Sequence, residues 1–241
     1  MVDDVRAAMA ATLANIRQEI GPEVTLVAVS KQATLLQMQL AHDLGIRHFA
    51  ENRVQDALAK QQQLPSAWQQ AGGPEAVCWH LIGHLQSNKV AKVPGHFEWV
   101  HSIDSVRLAR LVALEAQQAR APLKILLQVN ISGEATKHGF EPEALVEAMP
   151  TLLALPVVEV CGLMTMAPAQ ADEPLQRQVF QGLASLRNQL QRDFSHPLPV
   201  LSMGMSRDYR QAVACGATMV RLGTVLFGPT DDVSNKSNTG R

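Results

Sequence analysis

Lys31 follows directly on the apolar run Leu26-Val27-Ala28-Val29 and Ser30, and a lysine is seldom drawn toward a packed interior without a reason. An amine partly desolvated at the end of a buried strand loses basicity, which supplies the neutral nucleophile that condensation with a carbonyl requires. Taken alone, the residue reads more readily as a surface lysine opening a loop. The far end of the chain changes that reading. In LSMGMSRDYRQAV, Gly204 and Ser206 stand between an apolar run and a helical stretch that ends near Cys215-Gly216. Ser206 is placed to cap that helix, Gly204 permits close backbone approach, and the free amides of the helix start make an anion site. RLGTVLFG then brings Gly223 and Thr224, an amide and a hydroxyl for the same anion. Either segment alone is accounted for as a capped helix or a tight turn. Together, and opposite a strand-end lysine, they describe a ligand that carries both a phosphate and an aldehyde.

For these groups to meet, the chain must bring its first and last strands together. Eight short apolar runs can be counted, beginning at Val24, Arg47, Trp79, Trp99, Lys124, Glu159, Pro199 and Thr218. Between them lie stretches such as SVRLARLVALEAQQAR and EPLQRQVFQGLASLRNQLQRDF, whose apolar residues recur at steps of three and four, as a helix packed on a sheet requires. Regular alternation of strand and helix means a parallel sheet. An open doubly wound sheet alternates in the same way, but eight evenly spaced strands and the lack of a GxGxxG after the first favour a single (β/α)8 TIM barrel, preceded by an extra N-terminal helix. The 241 residues are close to the roughly 250 typical of that fold. The barrel is expected over 1–230, and the polar segment 231–241, with too little apolar content to pack, is expected to be mobile. In a barrel the chemistry sits at the C-terminal ends of the strands, where Lys31, Ser206 and Thr224 fall.

Composition removes several function classes. Lys plus Arg, at 21, nearly equals Asp plus Glu, at 22, so there is no basic excess for nucleic acid. No segment is apolar enough for a membrane span or a signal peptide. Cys78, Cys161 and Cys215 are odd in number and lack CxxC spacing, which suits a reducing compartment. The expectation is a cytoplasmic protein.

Val29-Ser30-Lys31, AENRVQD, WHLIGHLQSNKV, HSIDS, QVNISGEATKHGF, GLMTM, LSMGMSRDY and RLGTVLFG, in that order from the first strand to Pro229, resemble the pyridoxal phosphate homeostasis protein family. The resemblance implies a barrel of the alanine racemase N-terminal domain type, pyridoxal 5'-phosphate (PLP) as a Schiff base on Lys31, and no second domain. It further implies that Asn52 lies beside the cofactor, that Ser206 with Gly223 and Thr224 holds the phosphate, and that Arg221 faces the pyridine nitrogen. Met203 and His80 would line the pocket. The family's usual Gly-Glu-Asn-Arg-Val-Gln-Glu reads here with Ala50 and Asp56, which leaves Asn52 in register.

An arginine at the pyridine nitrogen cannot accept its proton, so the ring should be a weak electron sink, and the only tyrosine, Tyr209, sits in the phosphate-site helix without an acid-base role. These points favour a PLP carrier of vitamin B6 homeostasis without robust catalysis; delivery of PLP to apo-enzymes and a monomeric state are expectations that accompany this reading and do not follow from these residues. The alternatives are a PLP-dependent amino-acid racemase and a Schiff-base aldolase for sugar phosphates. His80 and His84 have HxxxH spacing on a strand and its exit, without the glutamate of HExxH, so no zinc pair is expected. Gln86 to Lys89 cap and begin the third helix. The loop carrying Asn130, Glu134, Lys137 and His138, hinged by Gly133 and Gly139, is equally compatible with a lid and with a solvated loop.

Overall fold

The computed structural model describes residues 2–69, 73, 75–134 and 138–228. The tail at 231–241 and Lys137 lie outside the described residues. Eight parallel strands close on themselves in sequence order: β1 (Thr25–Val29), β2 (His48–Glu51), β3 (Cys78–Leu81), β4 (Trp99–Ile103), β5 (Leu123–Gln128), β6 (Val158–Met164), β7 (Val200–Ser202) and β8 (Met219–Leu222). Each coincides with one of the eight apolar runs. Closure is made by β8 against β1, with Thr25 opposite Met219 and Ala28 opposite Leu222.

The helices are α1 (Val2–Ile20), α2 (Leu35–Asp43), α3 (Val54–Gln61), α4 (Val106–Ala119), α5 (Pro142–Leu153), α6 (Glu173–Phe194), α7 (Tyr209–Ala214) and α8 (Thr224–Phe227). Their boundaries follow from capping chemistry. Thr34 and Gln37 form a reciprocal capping box on α2, Ser105 accepts from the Leu108 amide at α4, and Asp172 accepts from the Leu175 amide at α6. Buried Val179, Phe180, Leu183, Leu186 and Leu190 recur at helical spacing along α6, so one face packs inward while its charged residues stay in water. Between β3 and β4 stands a 3-10 helix, Ser87–Lys92, preceded by Gln86 with no side-chain cap. The expected capped α-helix is absent there.

Strand pleating separates two kinds of core. Ala28, Trp79, Leu81, Ile125, Leu127, Val220 and Leu222 belong to the large cluster between barrel and helices, whereas their neighbours Val27, Val29, Leu126 and Met219 form small clusters inside the barrel. Between the inner clusters, buried His80, His101, Ser202 and Arg221 occupy inward positions of β3, β4, β7 and β8.

The β6–β7 seam leaves no room at Gly162, where a Cβ would stand 1.9 Å from the Val200 carbonyl oxygen. Gly162→Ala is expected to destabilise the barrel by about 3 kcal/mol or more, measured by urea unfolding. An unchanged midpoint would mean that the seam yields freely.

Candidate functional site

A cavity of about 990 Å³ opens at the C-terminal ends of the strands, lined among others by Lys31, Asn52, Ser206, Arg221, Gly223 and Thr224. Six of the eight residues named from sequence therefore share one space. Lys31 occupies the turn after β1 and is exposed rather than packed by its stem. Its approach is fixed from behind. The Ser30 amide donates to the Ala50 carbonyl and the Ala33 amide to the Ser30 carbonyl, while the Ser30 hydroxyl donates to Glu51 Oε1 at 2.7 Å. Lys60 of α3 reaches the same carboxylate oxygen at 2.7 Å and also the Ser30 carbonyl. Glu51 is wholly buried, and its Oε2 has no partner among the described residues. Glu51 stands in the ENR motif, but nothing in the sequence marks Lys60 as its partner in this Ser30–Glu51–Lys60 support.

On the opposite side, the Ser206 hydroxyl accepts from the Val225 amide at 3.3 Å and so joins the loop after β7 to α8. Ser206 does not cap the helix as expected. Residues 206–208 form a turn, α7 begins at Tyr209, and Asp208 accepts from the Met205 amide at 2.6 Å, which closes that turn and delays the helix. Gly204 has φ +92°, and a Cβ there would meet Ala212 Cβ at 2.6 Å. Its small size serves the packing of α7 rather than a ligand.

Arg221 is 3% exposed. Nη1 donates to the Ser202 carbonyl at 2.8 Å and the Ser202 hydroxyl at 2.6 Å, and Nη2 donates to the Thr165 carbonyl at 3.0 Å. Three of the five guanidinium donors are thus used inside the barrel, and Nε donates to no described residue. Burial brings the guanidinium down to about 10, with Asp208 opposing the shift, so it remains charged at neutral pH.

Two sequence expectations are corrected by the pleat. Met203 follows Ser202, whose hydroxyl points inward to Arg221, so Met203 points outward into the helical layer and is fully buried there. His80 faces inward but lies one pleat repeat too deep, and Ile82 lines the cavity in its place. The His80 ring stacks on Trp99 with centroids 5.7 Å apart and belongs to a ladder that sequence spacing could not reveal, because it runs across strands. His48 Nδ1 lies 2.9 Å from His80 Nε2, His80 Nδ1 lies 2.9 Å from His101 Nε2, and His101 Nδ1 lies 3.0 Å from Ser202 Oγ.

The guanidinium ends this ladder at Ser202. With Ser202 Oγ accepting from Arg221 and turning its own proton to His101 Nδ1, one consistent set of tautomers has His101 donating from Nε2 to His80 and His80 from Nε2 to His48. Burial holds His80 and His101 well below their ordinary value near 6.5, with the Arg221 charge adding to the effect at His101, and it lowers His48 as well. All three rings are neutral at pH 7.

Other motif residues fall into place around the mouth. The Asn130 side chain donates to the Glu134 carbonyl and to Glu141, and Gln128 holds the His138 carbonyl at 2.8 Å, so the end of this loop returns over the cavity, where His138 lines the wall. The Tyr209 hydroxyl donates to Glu19 of α1, away from the cavity, and burial raises it to about 12.

The alanine racemase N-terminal domain family model matches residues 5–231. A pyridoxal phosphate homeostasis protein of Pseudomonas aeruginosa is 39% identical over 228 residues, covering 93% of this chain and 94% of its own. The chain belongs to the pyridoxal phosphate homeostasis protein family. The solved structure of PipY from Synechococcus elongatus, described as with PLP bound, superposes with a TM-score of 0.83 at 38% identity, covering 91% of this chain and all of PipY. An alanine racemase of Clostridium difficile shares the fold alone, with a TM-score of 0.74 at 15% identity, over 94% of this chain but 58% of the racemase.

The neutral rings give a pH dependence with a definite sign. Unfolded histidines take up protons below about pH 6.5, while the folded ladder stays neutral, so stability is retained above that value and lost as pH falls. His80 and His101 together should give a slope of roughly 2.7 kcal/mol per pH unit once well below 6.5. The carboxyls of Glu98 and Asp208, both raised by burial, oppose it at lower pH. Urea unfolding between about pH 8 and pH 5 checks this. Constant stability across that range would show that the folded rings are charged.

Proposed function

We propose that the chain holds pyridoxal 5'-phosphate as a Schiff base on Lys31 and serves its homeostasis, passing the cofactor to PLP-dependent apo-enzymes rather than running a reaction of its own. The observation that carries this reading is the meeting in one cavity of a strand-end amine with the Ser206 and Thr224 hydroxyls and the Arg221 guanidinium. The donor set fits the group: hydroxyls and helix-start amides suit a phosphate, a primary amine suits an aldehyde, and a cationic donor suits an unprotonated ring nitrogen. When bound, PLP supplies an aldehyde that condenses with amines and a ring that withdraws electrons. Lys31 provides the amine, with one water released. Ser206, Gly223 and Thr224 orient the phosphate, Asn52 stands beside the ring, and Arg221 donates to the ring nitrogen without being able to accept its proton.

Two observations favour holding over turnover. Arg221 leaves the ring without the protonating carboxylate that would make it a strong electron sink, and the hydroxyl of Tyr209 is committed to Glu19. Cytoplasmic location and a monomeric state belong to the same proposal. In support of the former, the three cysteines are unpaired, and among the described residues no helix is long and apolar enough to cross a membrane.

Lys31→Ala should abolish the visible absorbance of the Schiff base while leaving the protein folded, and borohydride reduction with peptide mapping should place the pyridoxyl group on Lys31. An adduct on Lys60 or Lys89 would overturn the assignment. Ser206→Ala and Thr224→Val should each weaken PLP retention by about 1.5–3 kcal/mol, roughly ten- to hundredfold, with far less effect on pyridoxal. Equal PLP retention in both variants would place the phosphate elsewhere. The parent should exchange the α-proton of bound amino acids with deuterated solvent only slowly, and Arg221→Glu should speed it. Rapid exchange or racemisation by the parent would establish the racemase reading instead.

A further inference from the structure

We propose that His84, Asp104 and His138 form a divalent-cation site, of the kind occupied by zinc, cobalt(II) or nickel(II), at the rim of the cavity. The three residues come from three separate loops, those after β3, β4 and β5. His84 Nδ1 lies 3.5 Å and His138 Nδ1 3.9 Å from the same oxygen, Asp104 Oδ2. The potential ligand atoms of all three residues lie within 4.8 Å of one another; the two imidazoles now stack with centroids 4.3 Å apart and 19° between planes, so one exposed ring turns about its side-chain bonds to bring both in-plane nitrogens onto one ion. The two nitrogen–oxygen separations are long for hydrogen bonds. Both exceed, by a few tenths of an ångström, the roughly 3.3 Å that separates donors each about 2.0–2.1 Å from a tetrahedral metal, a difference that small rotations of the exposed rings close.

The outer partners are also in place. Ser105 Oγ donates to Asp104 Oδ1 at 3.2 Å, leaving Oδ2 to face the imidazoles, and Gln128 holds the His138 main chain from the end of β5. Such second partners orient metal ligands. Two nitrogens and one carboxylate select a borderline transition ion rather than magnesium or calcium. Three protein ligands also leave a coordination position open. His84 and His138 both line the cavity, so an oxygen donor such as a carboxylate on a molecule bound there is within reach of that position.

A second trio, His48, Cys78 and His80, has similar spacing but opposite chemistry. Its two nitrogens are already hydrogen-bonded to each other, burial pushes the Cys78 thiol up to about 12, and the Lys124 ammonium lies close enough to act on it. A cation there would have to displace a proton from an unreactive thiol beside another positive charge.

The test uses the full chain stripped with a chelator, in PLP-free and PLP-loaded forms. Cobalt(II) should bind with one equivalent per chain and give visible d–d bands, and zinc should displace it in competition with a chromophoric chelator. His84→Ala and Asp104→Asn should each weaken cobalt binding on the order of tenfold to hundredfold, while Cys78→Ser should leave it unchanged. His84 and His138 are 47% and 62% exposed, so truncating them spares the core, and circular dichroism verifies folding. Absence of stoichiometric binding by the parent overturns the proposal. So does binding that survives His84→Ala and Asp104→Asn but is lost in Cys78→Ser.

Discussion

A guanidinium inside a β-barrel must be solvated by the protein, because removing an ion from water costs several kcal/mol even after relaxation. Arg221 meets that requirement with two main-chain carbonyls and one hydroxyl, and the arrangement of the interior follows from it. The carbonyls belong to Ser202 at the end of β7 and Thr165 just past β6, so one side chain on β8 joins three consecutive strands. Its position matters because β7 is only three residues long and has a single register pair with β8, Ser202 opposite Met219, extended by the Thr218, Met203 and Arg221 amides, which donate to the Leu201, Met219 and Gly204 carbonyls. The charge also explains the histidines below it. A protonated ring beside Arg221 would add a second buried cation, and a doubly protonated imidazole would present two donors to a ladder that needs one donor and one acceptor per ring.

A comparable constraint operates behind Lys31. Glu51 is buried with one oxygen satisfied twice and the other without a described partner. A buried ion pair is weak support for stability, since desolvation consumes much of the Coulomb gain. Its effect is positional. Lys60 and Ser30 converge on Oε1 and fix where β1 ends, so the exposed Lys31 starts from a rigid base although its own stem is not packed.

The strands and the barrel were legible in the sequence because eight short apolar runs alternate with helical periodicity and the count itself favours a closed barrel over an open sheet. That Lys31 and the loops after β7 and β8 share one cavity was legible because strand ends in this architecture gather at one mouth, so position along the chain was enough. The errors lie where depth and pleat phase matter. Met203 and Ser202 are adjacent, and only the inward hydrogen bonds of Ser202 decide which of the two faces the helices. His80 carries the correct parity but the wrong depth, which depends on the stagger between strands, a property of pairing rather than of any one segment. Ser206 looked like a helix cap because a serine before a helical run usually is one, but Asp208, two residues on, closes a turn first. The ladder and the rim cluster each join residues from three or more strands or loops and left no mark in local spacing.

Closure of the barrel is what converts these local features into a site. Lys31 and Thr224 stand 193 positions apart, and they share a cavity because β8 pairs with β1 along four residues. The two exits come so close that a Cβ on Gly223 would lie 3.1 Å from the Val29 carbonyl oxygen, and Gln37 of α2 donates across the seam to the Phe227 carbonyl at 3.1 Å. Lys31 on one side and Gly223 with Thr224 on the other therefore belong to opposite edges of the same seam. A ligand bound to both edges has affinity only for the closed barrel, and by mass action it stabilises that state over any in which β8 has left β1. Its binding energy is greatest where the loop-closure cost of the fold is largest, so site formation and completion of the fold are coupled through one strand pair.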